Sequence, residues 1–212
     1  ARLEVDARVF AQRIWPRLAA VNKAGAKHLS PSAVWLEIHS FIKGSNAALE
    51  SETGKLSREE YLRLGAKMAP AFQGIRGGDG NSAEQLPGNR TGHRDLIYDF
   101  FVAYETEKAS FNAYDVSDLV HHIFATLGQE GYQGVPIDSF IVDETQDFTQ
   151  AELRLLIHLA TDKNDLMLAG DSAQTIASGV SFRFEDLRSL FHAERDLLLK
   201  RESITAAGGG AG

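Results

Sequence analysis

Apolar residues recur at roughly helical spacing through the first half of the chain, and short β-branched runs ending in acidic residues take over in the second. Val5, Val9, Ile14, Leu18 and Val21 predict a first helix. Ser30-Pro31 supplies a cap and a proline suited to a first helical turn, after which Val34, Trp35, Ile38, Phe41 and Ile42 form a core-facing stripe ended by Gly44. Ser57-x-x-Glu60 reads as a capping box opening a helix toward Met68. Residues 73–91 are rich in Gly, Asn and Pro and poor in apolar residues, which predicts a loop. Leu96, Ile97, Phe100, Phe101 and Tyr104 then start an amphipathic helix ending before Ser110.

From Asp115 the pattern becomes helix, strand, helix, strand, the order that lays down a parallel sheet. Asp115-Val-Ser-Asp118 caps a helix to about Leu127, and residues 128–136 read as a loop. A strand over 139–142 is followed by Thr149-x-x-Glu152, which caps a helix through Ala160, and by a strand over 166–169. A helix over 185–190, with a second stretch through Leu199, precedes a glycine and alanine tail from Ala206.

Both strands end in the same kind of chemistry. Phe140-Ile-Val-Asp-Glu-Thr-Gln-Asp147 sets an acidic pair past an apolar run, and Leu166-Met-Leu-Ala-Gly-Asp-Ser-Ala-Gln174 sets glycine, aspartate and glutamine past another. An apolar run of this length reads as a strand buried on both faces, so its first polar residues emerge at the carboxyl edge of the sheet, where open α/β folds bind ligands. Asp143 then suits Mg²⁺, held through water because that ion dehydrates reluctantly, and Glu144 suits the removal of a proton from an attacking water. An acidic dipeptide alone also occurs wherever a strand meets solvent; the repetition at two successive strand tips carries the inference.

On these residues the chain resembles the UvrD-like superfamily 1 helicases: Val142-Asp-Glu-Thr-Gln-Asp-Phe-Thr149 looks like motif II, and Leu168-Ala-Gly-Asp-Ser-Ala-Gln-Thr-Ile176 like motif III. Val34-Trp-Leu-Glu-Ile-His-Ser-Phe-Ile-Lys-Gly-Ser45, Tyr114-Asp-Val-Ser-Asp-Leu-Val120 and Gly179-Val-Ser-Phe-Arg-Phe184 are similar to the helicase-like region of large tetratricopeptide and ankyrin repeat-containing proteins. The matches run over about residues 31–191. The resemblance implies an α/β fold, a partial P-loop NTPase parallel sheet with helices plus a mainly helical insertion. It implies ATP and Mg²⁺ as cofactors and single-stranded DNA or RNA as partner. By the same resemblance Asp143 serves the Mg²⁺, Glu144 activates water, Asp171 lies on the nucleotide side, and Gln174 senses the γ-phosphate and passes its state to the nucleic acid. Thr145 stands where many relatives have alanine, a change expected to be tolerated. Phe182 and Arg183 are the nearest candidates for the aromatic-arginine pair that stacks on a base, arriving about three residues late; Phe182 beside Phe184-x-x-Leu187 reads equally as packed core.

No Gly-x-x-x-x-Gly-Lys-Ser/Thr occurs in the chain. Its only echo, Gly54-Lys55, has Leu49 in place of the first glycine and Leu56 in place of the hydroxyl. The arginines of later helicase motifs are absent as well. The expectation is therefore a piece of an ATP-dependent helicase or translocase that relies on the remainder of its parent chain for the phosphate cradle and turns over no ATP alone. A non-catalytic helicase-like scaffold keeps the same fold without turnover, and a P-loop lysine upstream separates the two. A nuclease-coupled repair protein would need a further carboxylate cluster.

Composition narrows the classes. Apolar residues make up 43% of 212, ordinary for a globular chain, and the absence of cysteine excludes a disulfide framework or cysteine zinc site. No run approaches the roughly 18 apolar residues that span a bilayer, so no membrane partner and an intracellular location are expected. The net charge of −7 is no basic footprint, yet residues 1–30 carry six Lys/Arg against two acids, whereas 111–212 carry seven against sixteen. The basic residues near the start, Arg2 to Lys27, fit either a phosphate-touching arm or a solvated helix face. None of the seven histidines has ligand spacing; adjacent His121 and His122 point about 100° apart on a helix. The expected division is an N-terminal helical arm (1–30), a helical insertion (31–110), an ATPase core segment with motifs II and III (111–192) and a tail (193–212), disordered at its end.

Overall fold

The computed structural model of the chain describes residues 2–63, 90–171 and 184–208. These residues are mostly helical, with two small parallel sheets of two strands each, and the chain divides into compact units of residues 1–125 and 126–212.

The first unit winds short helices around the long helix α7 (Arg90–Ser110). The strand β1 (Leu3–Glu4) precedes α1 (Ala7–Val9), α2 (Trp15–Val21), α3 (Lys23–Ala26), α4 (Pro31–Leu36), α5 (Asn46–Glu50) and α6 (Arg58–Arg63). After α7, β2 (Ala113–Tyr114) pairs in parallel with β1, and α8 (Val116–Glu130) follows. This short parallel pairing has no periodic signature in the sequence. Pro16 shapes the first helix. It lacks an N–H and its ring collides with the carbonyl four residues back, so the helix widens to a π turn over Phe10–Ile14, where the Trp15 N–H reaches the Phe10 carbonyl. The extra residue rotates the buried face: Phe10, Ile14 and Leu18 are in the core, whereas Val21, expected there, is 89% exposed. Ser30 caps α4 as anticipated, its Oγ accepting from the Ala33 N–H.

Residues from both sides of the expected boundary at residue 30 share one core: Val5, Phe10, Ile14, Val34, Ile38, Ile42, Ile97, Phe101 and Tyr104 are all buried together. The Phe10 ring lies 5.2 Å from Trp35 and 5.6 Å from Tyr104. Of the expected helix to Met68, the part beyond Arg63 lies outside the described residues, as does most of the expected loop over 73–91; the long helix begins already at Arg90. The helix from Val116 also runs past its expected end, over Gly128 to Glu130, and Gly131 closes it at φ +72°, its N–H bonded to the Leu127 carbonyl.

At the heart of this unit lies a buried ionic cluster. Lys43 Nζ donates to Asp115 and Asp118 at 2.5 Å each, and Lys108 Nζ to Asp115 at 2.9 Å, Asp118 at 2.7 Å and Glu105 at 2.6 Å. The Tyr104 hydroxyl adds a bond to Asp115 at 2.8 Å. Glu105, Asp115 and Asp118 converge closely enough to ligate a cation; the two ammonium groups supply that charge. Burial by itself would raise the Asp115 carboxyl, but Lys43 and Lys108 outweigh it and hold the group below the usual carboxylate range. For Lys108, burial alone would lower the ammonium, yet Asp115 and Glu105 keep it above its usual value.

The second unit is built on β3 (Phe140–Val142), α9 (Gln150–Leu159), β4 (Leu166–Leu168) and α10 (Phe184–Gly208). The strands are parallel, with Ile141 opposite Met167 and Val142 opposite Leu168. Leu166 and Leu168 pack with Leu153, Ile157, Leu187 and Leu190. The expectation that these strands are buried on both faces does not hold here: Ile141 is 80% and Met167 63% exposed, because successive side chains alternate across the sheet and, among the described residues, the helices of the unit pack on the face of Leu166 and Leu168. The anticipated capping box at Thr149 and Glu152 is present, with both reciprocal bonds. Where the sequence suggested a helix over 185–190, a second stretch and a glycine-rich tail, one continuous helix reaches Gly208. Glu194 on α10 ties it to α9, accepting from Arg154 Nε and meeting His158 Nδ1, both at 2.9 Å. Burial would raise Glu194, but His158 and Arg154 keep it below its ordinary value.

Removing one partner of a buried ion pair strands the others without compensation, so Asp115→Ala is expected to lower unfolding free energy by about 3–5 kcal/mol. Urea unfolding checks this; a cost below about 1 kcal/mol would show that the cluster contributes no more than a solvated surface pair. The pH dependence has a definite sign. Asp115 and Asp118 are depressed, so their contribution is present above an unfolded value of about 3.9 and is lost as pH falls through the lower folded values. Lys108 is raised, so its contribution holds below about 10.4 and fades as pH rises through the higher folded value. The urea midpoint should therefore fall below about pH 4 for the parent chain and do so less steeply for an Asp115→Asn chain.

Candidate functional site

Where β3 ends, the backbone turns sharply instead of continuing as a strand. Glu144 takes the left-handed conformation, φ 51° and ψ 42°, and residues Thr145–Asp147 wind into one 3₁₀ turn. A non-glycine residue is held there only if its surroundings over-determine it, and the hydrogen bonds do so. The Glu144 N–H donates to Asp143 Oδ1 at 2.9 Å, and the Asp147 N–H donates to the Glu144 carbonyl at 2.9 Å. This turn exposes Asp143 and Glu144 at the carboxyl edge of the sheet and buries Thr145 and Gln146 beneath them.

The buried pair clamps the neighbouring strand. Thr145 donates to the Ala169 carbonyl twice, from its N–H at 2.9 Å and its hydroxyl at 2.6 Å, while the Ala169 N–H donates to the Val142 carbonyl at 2.8 Å. Gln146 Oε1 accepts the Asp171 N–H at 2.9 Å, and Gln146 Nε2 donates to Glu144 Oε2 at 2.5 Å. Gly170 lies against the same carboxamide, so close that a Cβ there would stand 2.6 Å from Gln146 Oε1. Asp143, Glu144 and Asp171 are thereby gathered at one edge. Gln174, Phe182 and Arg183 lie outside the described residues.

Two residues of this arrangement escaped the reading of the sequence. Thr145 looked interchangeable with alanine, yet its hydroxyl fastens the end of β4. Gln146 was part of a recognisable string without a task of its own. The available signal was their position directly after the acidic pair; their burial comes from the left-handed turn at Glu144, which strand alternation does not foresee.

The chemistry open to this edge is that of hard oxygen ligands and a proton acceptor in solvent contact. A carboxylate such as Asp143 fits Mg²⁺ by donor type, and Glu144, held through its own carboxylate by Gln146, offers a fixed acceptor.

Left-handed backbone costs an L-residue about 1–2 kcal/mol that glycine avoids. Glu144→Gly and Glu144→Ala both remove the carboxylate and its bond to Gln146, so the comparison isolates the backbone: the glycine chain should unfold at higher urea, more stable by about 1 kcal/mol. Equal midpoints would contradict the left-handed turn.

Comparison with known proteins gives the relationship. Residues 35–197 match the UvrD/REP helicase N-terminal domain, well over half of the chain. The chain is 36% identical over 204 residues to the TPR and ankyrin repeat-containing protein 1 of Homo sapiens, covering 96% of this chain and 6% of that protein. It thus spans only a small part of the length of this relative, and no solved structure matches it. With the strand tips carrying Asp143-Glu144 and Gly170-Asp171 lying inside the matched region, the chain belongs to the UvrD/REP helicase family.

Proposed function

We propose that this chain contributes the water-activating and Mg²⁺-side half of an ATP site in a helicase or translocase that moves on, or remodels, single-stranded DNA or RNA. In this reading the second unit is part of a P-loop NTPase sheet, and the phosphate cradle is contributed by the remainder of the parent chain. The observation that carries it is the convergence of Asp143, Glu144 and Asp171 at one carboxyl edge of a parallel strand pair. Family membership supports the same class of activity.

Asp143 would hold Mg²⁺ through its carboxylate; the ion, when bound with ATP, offsets phosphate charge. Glu144 accepts a proton from the attacking water, its carboxylate oriented by Gln146 Nε2. By the family resemblance Asp171 would lie on the nucleotide side, and Gln174, which lies outside the described residues, would sense the γ-phosphate and pass its state toward the nucleic acid. Phe182 and Arg183, also outside the described residues, are the candidates for the aromatic-arginine pair that would stack on a base, stacking being worth about 1–3 kcal/mol per base. Among the described residues no helix is long and apolar enough to cross a membrane.

The test is ATP turnover by the full-length protein with Mg²⁺, with and without single-stranded DNA or RNA. Stimulated turnover should fall about 10²–10⁴-fold in Glu144→Gln with ATP affinity retained, because only the proton acceptor is lost. Asp143→Ala should instead raise the Mg²⁺ concentration needed. A folded full-length protein with no turnover would favour the non-catalytic scaffold, in which the same edge serves binding alone.

A further inference from the structure

We propose that Gln146 is a positioning residue that couples the tip of β4 to the carboxylate of Glu144. This rests on the reading of Glu144 as the water-activating group; the coupling itself rests on geometry alone.

Gln146 is 1% exposed, so its carboxamide has no solvent to satisfy it and both ends must find protein partners. They do, and the two bonds select one orientation of the amide. The Asp171 N–H can only donate, so it takes Oε1; the NH₂ group is then directed at Glu144, whose ionised carboxylate can only accept. Reversing the amide would set NH₂ against N–H at one end and oxygen against carboxylate at the other. The backbone of β4 thus dictates where the donor for Glu144 stands. Gly170 completes the device, because a Cβ there would press on Oε1 itself at 2.6 Å. Thr145 holds the adjoining Ala169 carbonyl, and Gln146 holds the Asp171 N–H two residues further on. A shift of the Asp171 N–H by about an ångström takes its bond out of range, frees the carboxamide and releases Glu144. Asp171 lies three residues past the end of β4, so a ligand that displaces its backbone acts on the proton acceptor through Gln146 without touching it.

The test has two independent arms. In ¹⁵N NMR of the 212-residue chain, Glu144→Ala is expected to move the Gln146 side-chain NH₂ resonances, and Gln146→Leu to speed Asp171 amide exchange about tenfold. Gln146→Glu keeps the acceptor for the Asp171 N–H and sets a like charge beside Glu144, so Asp171 exchange stays within about threefold of the parent chain. Should Gln146→Leu fail to fold, Gly170→Ala replaces it, with faster Asp171 exchange expected. Unmoved NH₂ resonances, or unchanged Asp171 exchange in both Gln146→Leu and Gly170→Ala, would overturn the coupling. In the full-length protein Gln146→Leu and Gln146→Glu should each lower kcat for ATP about 10–100-fold with KM within about threefold; an unchanged kcat in an active protein overturns the positioning role. Lack of turnover in the unsubstituted full-length protein counts against the Glu144 reading, while the NMR arm still decides the bridge.

Discussion

A buried glutamine that must satisfy both ends of its carboxamide holds the candidate site together. Gln146 can reach Glu144 and the Asp171 N–H together only if β3 turns back on itself immediately after Val142, and that turn forces Glu144 into left-handed backbone. The strain at Glu144 and the burial of Thr145 and Gln146 are two sides of one arrangement. Extended backbone at Glu144 would send Gln146 away from β4 and break its bond to the Asp171 N–H and that of Thr145 to the Ala169 carbonyl. A positive φ at a glutamate is uncommon, and it occurs here at the residue whose carboxylate Gln146 holds.

The rest of the second unit serves this edge. The capping box at Thr149 and Glu152 starts α9 within two residues of the turn, so the turn's exit is fixed by a helix N-terminus. Leu153 and Ile157 on α9 meet Leu187 and Leu190 on α10, and Glu194 secures the pair through Arg154 and His158. The segments carrying the two strand tips thus lead into helices that are locked to each other by both apolar packing and buried charge. An ionised pair buried this deeply adds little net stability against an apolar alternative, whereas removing one partner leaves the other's charge buried without compensation.

The first unit uses the same logic on a larger scale. Lys43 comes from the stretch after the π turn at Glu37–Ile42, Lys108 from the end of α7, and Asp115 and Asp118 from the start of α8. Sequence distances of 72 and 75 residues separate Lys43 from its two aspartates. Two of the sequence stretches quoted for the resemblance, 34–45 and 114–120, meet in this cluster, where each buried charge depends on its partner from the other stretch. Glu37, fully buried, adds a smaller case, accepting from the Tyr61 hydroxyl at 2.5 Å. Burial raises its carboxyl above the usual range, with Tyr61 and Arg94 opposing.

Local chemistry was legible in the sequence wherever it depends on neighbours along the chain. The caps at Ser30 and Thr149, the strands carrying Asp143 and Asp171, and the helix from Asp115 all follow from hydrogen-bonding groups and apolar periods a few residues apart. The Asp143-Glu144 and Gly170-Asp171 strand tips were legible for the same reason. What the sequence could not reveal depends on partners far along the chain or on a single backbone angle. Pro16 announces a break but not the π turn that replaces Val21 with Phe10 in the core. The pairing of Leu3–Glu4 with Ala113–Tyr114, the closure of two lysines on three acids, and the exposure of Ile141 and Met167 are decided by which segments meet. So is the task of Gln146: its two bonds exist only because tertiary contact brings the β4 tip to a turn formed 25 residues earlier, and side-chain polarity alone carries no record of that meeting.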